Sequence, residues 1–512
     1  MCYPHPRVAP LVRLVQFLEG ETRMKRQSRF AVALLAGASL VIAACGGDDG
    51  GSTTEAPSTE APSTEAPSTE APAEEPTASD VGITESTISI GVAVADLEAV
   101  RAMLPGVVPE TLTTDHLFDR WKVFMDDINE AGGINGRTIE LVRLVWNPLD
   151  QTSFDALCAA ATIDNELFAI VNGTGLSSIA RECIFAAGVP ILYGDVMTQA
   201  EFDTGLAISL VPPTEVMAAA GAKQWIENTD AAAGSTVGLL ANNTPGGTAA
   251  GDAAQATLED AGFVVERADL NSVSGDNAAI NEEGATAVGN FVAAGAVHVL
   301  VATPFTENTG FWTKAAEAQL PFTLLDVSSS GCSPFGLSAD RAATAVGSSC
   351  TTAFDHSTDG TAIRADSEFE AACRANFDEN FTEYYGGPSS PGVPAGRVLT
   401  DVAGKVLNSD YTPQECSLSN IIKLGLEAAG VNPTRASFIE AIQNLGDVPL
   451  ALIGGGTGTF APGKPFAANA VHVVKVTKAA ADTAADANGL YNGCAAPVNC
   501  GVVISDWTPI EG

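Results

Sequence analysis

Between Asp115 and Trp146 the rhythm of apolar and polar residues changes from helical to extended. Leu117, Trp121, Phe124, Met125 and Ile128 recur at three- and four-residue intervals, with Asp119, Lys122, Asp126, Asp127 and Glu130 between them. That spacing predicts one helix with a single apolar stripe. The stripe stops at Ala131-Gly132-Gly133, where glycine can take the left-handed conformation that ends a helix. Asn135-Gly136 offers a second tight turn. From Ile139 to Trp146 the chain is dense in Leu and Val, as a largely buried strand would be.

The same grammar runs through the chain. Ile88, Ile90, Val92 and Val94 alternate along a first strand, followed by a proline-punctuated loop over 96–114. A helix is expected over Thr152–Asn165, a strand over Phe168–Asn172, and a helix opened by Ser177 and Ser178 after Gly173-Thr174-Gly175. Another short buried strand ends at Tyr193. Near Ser209–Pro213 a fresh cycle begins: a helix over Thr214–Asn228, then strands over Thr236–Ala241, Phe263–Glu266, Ala296–Ala302 and Phe322–Leu325. Strands that alternate with helices predict parallel doubly wound sheets, and two such runs predict two similar lobes. Glu368–Tyr385 and Ser417–Ala429 add two further helices. The fold class is therefore α/β, with two doubly wound lobes.

The wording of the first unit, INEAGGINGRTIELV over 128–142, resembles the signature of type I periplasmic solute-binding proteins of the leucine/isoleucine/valine-binding branch. The resemblance extends from about Thr87 to Val476 and implies lobes joined by a multi-strand hinge. It places 87–212 in the first lobe, 213–345 in the second, 346–455 in a return to the first with insertions, and 456–512 in the second. It also implies a small polar solute, an amino acid or a related carboxylate or amide, delivered to the permease of an ABC importer by a monomer without cofactor. The competing reading is a tethered sensor or envelope-interaction protein of the same fold.

Ligands of open α/β sheets sit beyond the carboxyl ends of strands. There the first lobe offers Thr174, Gly175, Ser177 and Ser178, whose N–H groups and hydroxyls at a helix start suit a carboxylate. The bland reading of either serine is a helix cap. The family's carboxylate-binding serine aligns near Ser177. Tyr193, with Asp195 and Thr198, occupies the next strand end. In the second lobe the resemblance puts an aromatic cover at Phe305, with Glu307 beside it, and an ammonium-binding acid near Asp326.

Charge and cysteines add the setting. The formal charge is −37, which disfavours nucleic acid and anionic lipid as partners. Met24–Arg29 is a basic head and Phe30–Ala44 a short apolar core, together an export signal within 1–45. Ile42-Ala43-Ala44-Cys45-Gly46 resembles a lipobox, implying a lipid on Cys45 and a place on the outer face of the cell membrane. Residues 46–86, with Thr-Glu-Ala-Pro-Ser repeats from Thr54, read as a disordered tether. Eight cysteines remain, Cys158, Cys183, Cys332, Cys350, Cys373, Cys416, Cys494 and Cys500. An even number in an exported chain implies disulfides, and sequential pairing is the simplest of many connectivities. With no CxxC pair beside histidine, zinc is not expected. No G-x-S-x-G elbow or H-E-x-x-H helix occurs, and His298 and His472, inside strands, read as structural. An enzyme is not expected.

Overall fold

The computed structural model describes residues 74–510 apart from 104–112, 151, 174, 273–275, 304, 326, 328–345, 357, 386–398, 401–405, 408–412, 481–482 and 496–498. Strands β1 (Thr87–Ala95), β2 (Thr138–Trp146), β3 (Ala169–Asn172), β4 (Ile191–Tyr193) and β5 (Ala207–Ser209) form one parallel sheet, ordered β2-β1-β3-β4-β5. Strands β6 (Thr236–Asn242), β7 (Val264–Leu270), β8 (Val299–Val301), β9 (Phe322–Leu324) and β10 (Ser349–Thr352) repeat the pattern as β7-β6-β8-β9-β10. Two short hairpins follow, β11 (Leu399–Thr400) with β12 (Val406–Leu407) and β13 (Gly446–Pro449) with β14 (Thr457–Phe460). The second sheet is then extended antiparallel by β15 (Ala470–Thr477), β16 (Cys500–Val503) and β17 (Thr508–Pro509).

Helices on both faces explain why the strands are nearly continuously apolar. In the first half these are α1 (Leu97–Met103), α2 (Thr114–Glu130), α3 (Thr152–Ala159), α4 (Ser178–Ala186) and α5 (Gln199–Phe202). The second has α6 (Thr214–Asn228), α7 (Pro245–Asp260), α8 (Asn277–Ala293) and α9 (Phe305–Glu317). The remaining three are α10 (Glu368–Tyr385), α11 (Pro413–Ala429) and α12 (Arg435–Gln443). One face of the first sheet buries Trp121 and Met125 of α2 with Ile421 and Leu426 of α11 and Phe438 of α12. The other buries Leu157, Ala180 and Ile184 of α3 and α4. The chain passes between the sheets three times, after β5, after β10 and after β14. The first and third crossings are zipped together: Ser209 N donates to Pro465 O at 3.0 Å, and Ala468 N donates to Leu210 O at 3.0 Å.

The signature stretch proves to be a clasp. Asn129 bonds both backbone groups of Ile139, Nδ2 to O at 2.9 Å and Oδ1 from N at 2.7 Å. Asn135, left-handed at φ 50°, reaches the end of α11 with Nδ2 2.9 Å from Gly430 O. Arg137, fully buried, donates to Thr84 O and Thr77 O at 2.7 Å each and to Val431 O. The return helix is thereby sewn to the first sheet.

Three expectations need correction. The tether read over 46–86 does not extend through residues 74–86. Thr77 N donates to Asn432 Oδ1 (2.7 Å), Arg435 N donates to Asp80 Oδ2 (2.7 Å), and Ile83 is core. Proline and glutamate there suggest a solvated chain, but the backbone finds its partners some 355 residues later. Second, the stretch 349–352, expected in the return to the first lobe, is β10 of the second sheet, because its alternating Cys350 and Thr352 pair β15. Third, the helix expected over 152–165 loosens at Ala160 into a π-type turn, Ala160–Asp164. Among the described residues Cys158–Cys183, Cys373–Cys416 and Cys494–Cys500 are bonded, joining α3 to α4 and α10 to α11. Cys350 is also oxidised, and its expected partner Cys332 lies outside the described residues. Cys45 lies outside them too.

Candidate functional site

The carboxyl ends of β3 and β4 present the turn 173–178 and the segment 194–198. Gly194 is required here, since a Cβ on it would lie 2.2 Å from Gly173 O, while one on Gly173 would press on Glu415 Oε1 at the start of α11, 3.2 Å away. The first turn of that helix packs against these two glycines. Gly175 turns the chain at φ 85°. Ser177 then caps α4, its Oγ accepting from Ile179 N at 3.3 Å, which leaves the hydroxyl proton to donate elsewhere. Ser178 is the first helical residue, and both serines are partly exposed. Thr174 lies outside the described residues.

Tyr193 was expected in a cleft wall and lies instead in the core between the sheet and α4, 2 % exposed. Its parity along β4 matches Ile191, so it turns toward the helices. Its hydroxyl donates to Leu176 O at 3.4 Å and burial pushes its pKa well up. Behind the turn Arg181 meets Glu201 through Nε–Oε1 (2.7 Å) and Nη2–Oε2 (3.1 Å), donates to Leu176 O, and lies 4.8 Å over the Tyr193 ring. Burial would lower the Arg181 pKa, but Glu201 more than offsets this and holds it raised. Glu201 also accepts from Thr198 N at 2.7 Å, in a capping box that starts α5. Sequence reasoning overlooked this pair. The Thr198–Glu201 spacing is the capping-box signature that could have found half of it.

Across from Thr198 the second lobe offers the start of α7. Thr244 caps it, accepting from Gly247 N at 3.1 Å and donating to Asn242 Oδ1 at 2.9 Å. A Cβ added to Gly246 would come within 3.9 Å of Thr198 Cγ2, so the strand-end loops of the two lobes meet there. Glu215 of α6 accepts from Gln199 N at 3.0 Å beside them. Phe305 and Glu307 fall in the first turn of α9, beyond the carboxyl end of β8, and their side chains lie outside the described residues, as does Asp326. Among the described residues no group of His, Cys, Asp and Glu gathers as a metal site would. The arrangement brings the hydroxyls of Ser177 and Ser178 and the starts of α5 and α7 to the carboxyl ends of the strands.

The profile of the periplasmic binding protein family matches residues 121–483. None of the curated proteins matches. Among solved structures, the chain is similar to a fatty acid ABC transporter substrate-binding protein from Thermomonospora curvata, with 16 % identity, 84 % of this chain and 94 % of that one covered, and a TM-score of 0.56. It is similar also to an ABC transporter solute-binding protein from R. palustris in complex with 4-hydroxybenzoate (15 %, 83 % and 98 %, TM-score 0.56). A third is a leucine-binding protein from Thermotoga maritima (14 %, 76 % and 95 %, TM-score 0.54).

Proposed function

Since the chain belongs to the periplasmic binding protein family, with its type I fold, and that family consists of solute-binding proteins rather than enzymes, we propose that it captures a small polar solute between its two lobes and hands it to an ABC importer. The observation that carries this reading is the meeting of strand-end loops, Thr198 after β4 of the first sheet against Gly246 after β6 of the second. Solved structures of similar fold hold leucine or 4-hydroxybenzoate, which supports an amino acid or related carboxylate. In this reading Gly175, Ser177 and Ser178 receive the carboxylate, and Phe305, Glu307 and Asp326 contribute from the second lobe. The basic head, apolar core and Cys45 support export and a lipid anchor. Expression of Cys45→Ala followed by cell fractionation tests the anchor, since a variant as membrane-bound as the parent rejects it.

Titration calorimetry with leucine and with 4-hydroxybenzoate tests capture directly. For whichever binds, Ser177→Ala should weaken affinity by about ten- to a hundredfold, the worth of one hydrogen bond to a charged group. Small-angle scattering with and without that probe should show a smaller radius of gyration when the lobes close. Unchanged affinity returns Ser177 to helix capping alone, and an unchanged profile rejects a closing clamp.

A further inference from the structure

Asn172 ends β3, and its side chain is only 4 % exposed. Nδ2 donates to Ala93 O at 2.6 Å. A carbonyl can only accept, so the amide nitrogen must be the atom facing Ala93, and the atom left over is the oxygen. Among the described residues no donor reaches Asn172 Oδ1. Folded chains seldom leave a buried acceptor unmade, and each instance asks for a reason.

The place supplies one. In a sheet ordered β2-β1-β3-β4-β5 the connections leave β1 and β3 toward opposite faces. The crevice outside the carboxyl ends at that switch point is where open α/β sheets take ligands. Ala93 and Asn172 stand there, one residue beyond the last paired positions, Val92 and Val171. By its parity with Ile170, Asn172 shares a face with Trp146 at the end of β2. The Trp146 indole N–H is likewise buried, and no acceptor among the described residues meets it. One donor and one acceptor are therefore held ready at the same strand ends.

We propose that Asn172 is a solute contact of the first lobe, accepting a hydrogen bond from an N–H or O–H of the ligand. The inference rests on the capture function proposed above and narrows it. A carboxylate alone would set oxygen against oxygen here, so the solute carries a donor besides its acid, as amino and hydroxy acids do.

Thermal-shift titrations with two matched pairs test this: leucine against 4-methylpentanoate, which lacks the ammonium, and 4-hydroxybenzoate against benzoate. In the wild type the donor-bearing member of a pair should bind at least tenfold more tightly than its mate. Asn172→Leu should erase that preference, and Lys122→Ala, on the exposed face of α2, should leave it in place. Equal binding of both members in the wild type overturns the inference while leaving capture intact, and so does a preference that survives Asn172→Leu. If no probe binds, the amino- or aromatic-acid reading of capture fails, and ligand-free melting decides the role of Asn172. An unchanged or raised melting temperature for Asn172→Leu upholds an acceptor kept for a ligand, whereas a fall of several degrees assigns Asn172 to the scaffold and overturns the proposal.

Discussion

Replacing Arg181 by methionine should be among the most damaging single changes in the first lobe. The guanidinium and Glu201 are 7 % and 11 % exposed, and the carboxylate is held bidentately. Methionine fills much of the volume but leaves Glu201 buried with only Thr198 to satisfy it. Breaking a buried pair by removing one partner costs ~3–5 kcal/mol, mostly the penalty of the charge left behind. The variant Arg181→Met/Glu201→Gln should recover more than half of that loss, because a neutral amide can still accept from Thr198 N. Urea unfolding followed by tryptophan fluorescence reads both variants against the wild type. If the single variant loses under about 1 kcal/mol, or the double variant is no better than the single, the pair is not electrostatically coupled as described.

Gly194→Ala should destabilise by about 1–3 kcal/mol, since its Cβ would meet the Gly173 carbonyl; an unchanged urea midpoint would mean that β4 can shift away. Removing Cys373–Cys416 by paired alanines frees a loop with a sequence separation of 43 and should cost about 4 kcal/mol by loop entropy, seen as a lower melting temperature. His472 stacks 3.8 Å from the Trp507 ring, bonds Phe354 O at 2.8 Å and has its pKa lowered by burial to about 4. Its folded pKa lies below the unfolded value of about 6.5. The stability linked to the neutral imidazole is therefore complete above pH 6.5 and is lost as pH falls toward 4, roughly 3 kcal/mol in all. His472→Gln should flatten that part of the stability–pH curve, and an identical curve would remove the assignment.

Much of the architecture was legible because periodicity and turn chemistry agree. The helix Thr214–Asn228 was readable to the residue, and the Gly-Gly and Asn-Gly turns of the signature take the left-handed conformations their residues allow. What failed depended on distant partners. Residues 74–86 look solvated until Asn432 and Arg435 are brought to them. Tyr193 was misplaced because a strand-end aromatic can face either the crevice or the helices, and β4 is buried on both faces, so its sequence carries no polar alternation to choose by. Asn172 was passed over as the last letter of a strand. Nothing local distinguishes an amide with a spare acceptor from a satisfied one.

The arginine stitching has a mechanical consequence. A pull on the chain at residue 74 loads Thr77, Asp80 and Thr84, which are held by Arg137, Asn432 and Arg435, and Arg435 itself grips the Leu167, Phe168 and Gly188 carbonyls where β3 and β4 begin. These bonds tie the entering chain to the return helices before it reaches β1. Tension entering at that end is spread into the back of the first sheet, away from the strand tips and off the three crossings. In the clamp proposed above, closure of the second lobe would leave these bonds intact, since they all join the chain entry to the first sheet and its return helices.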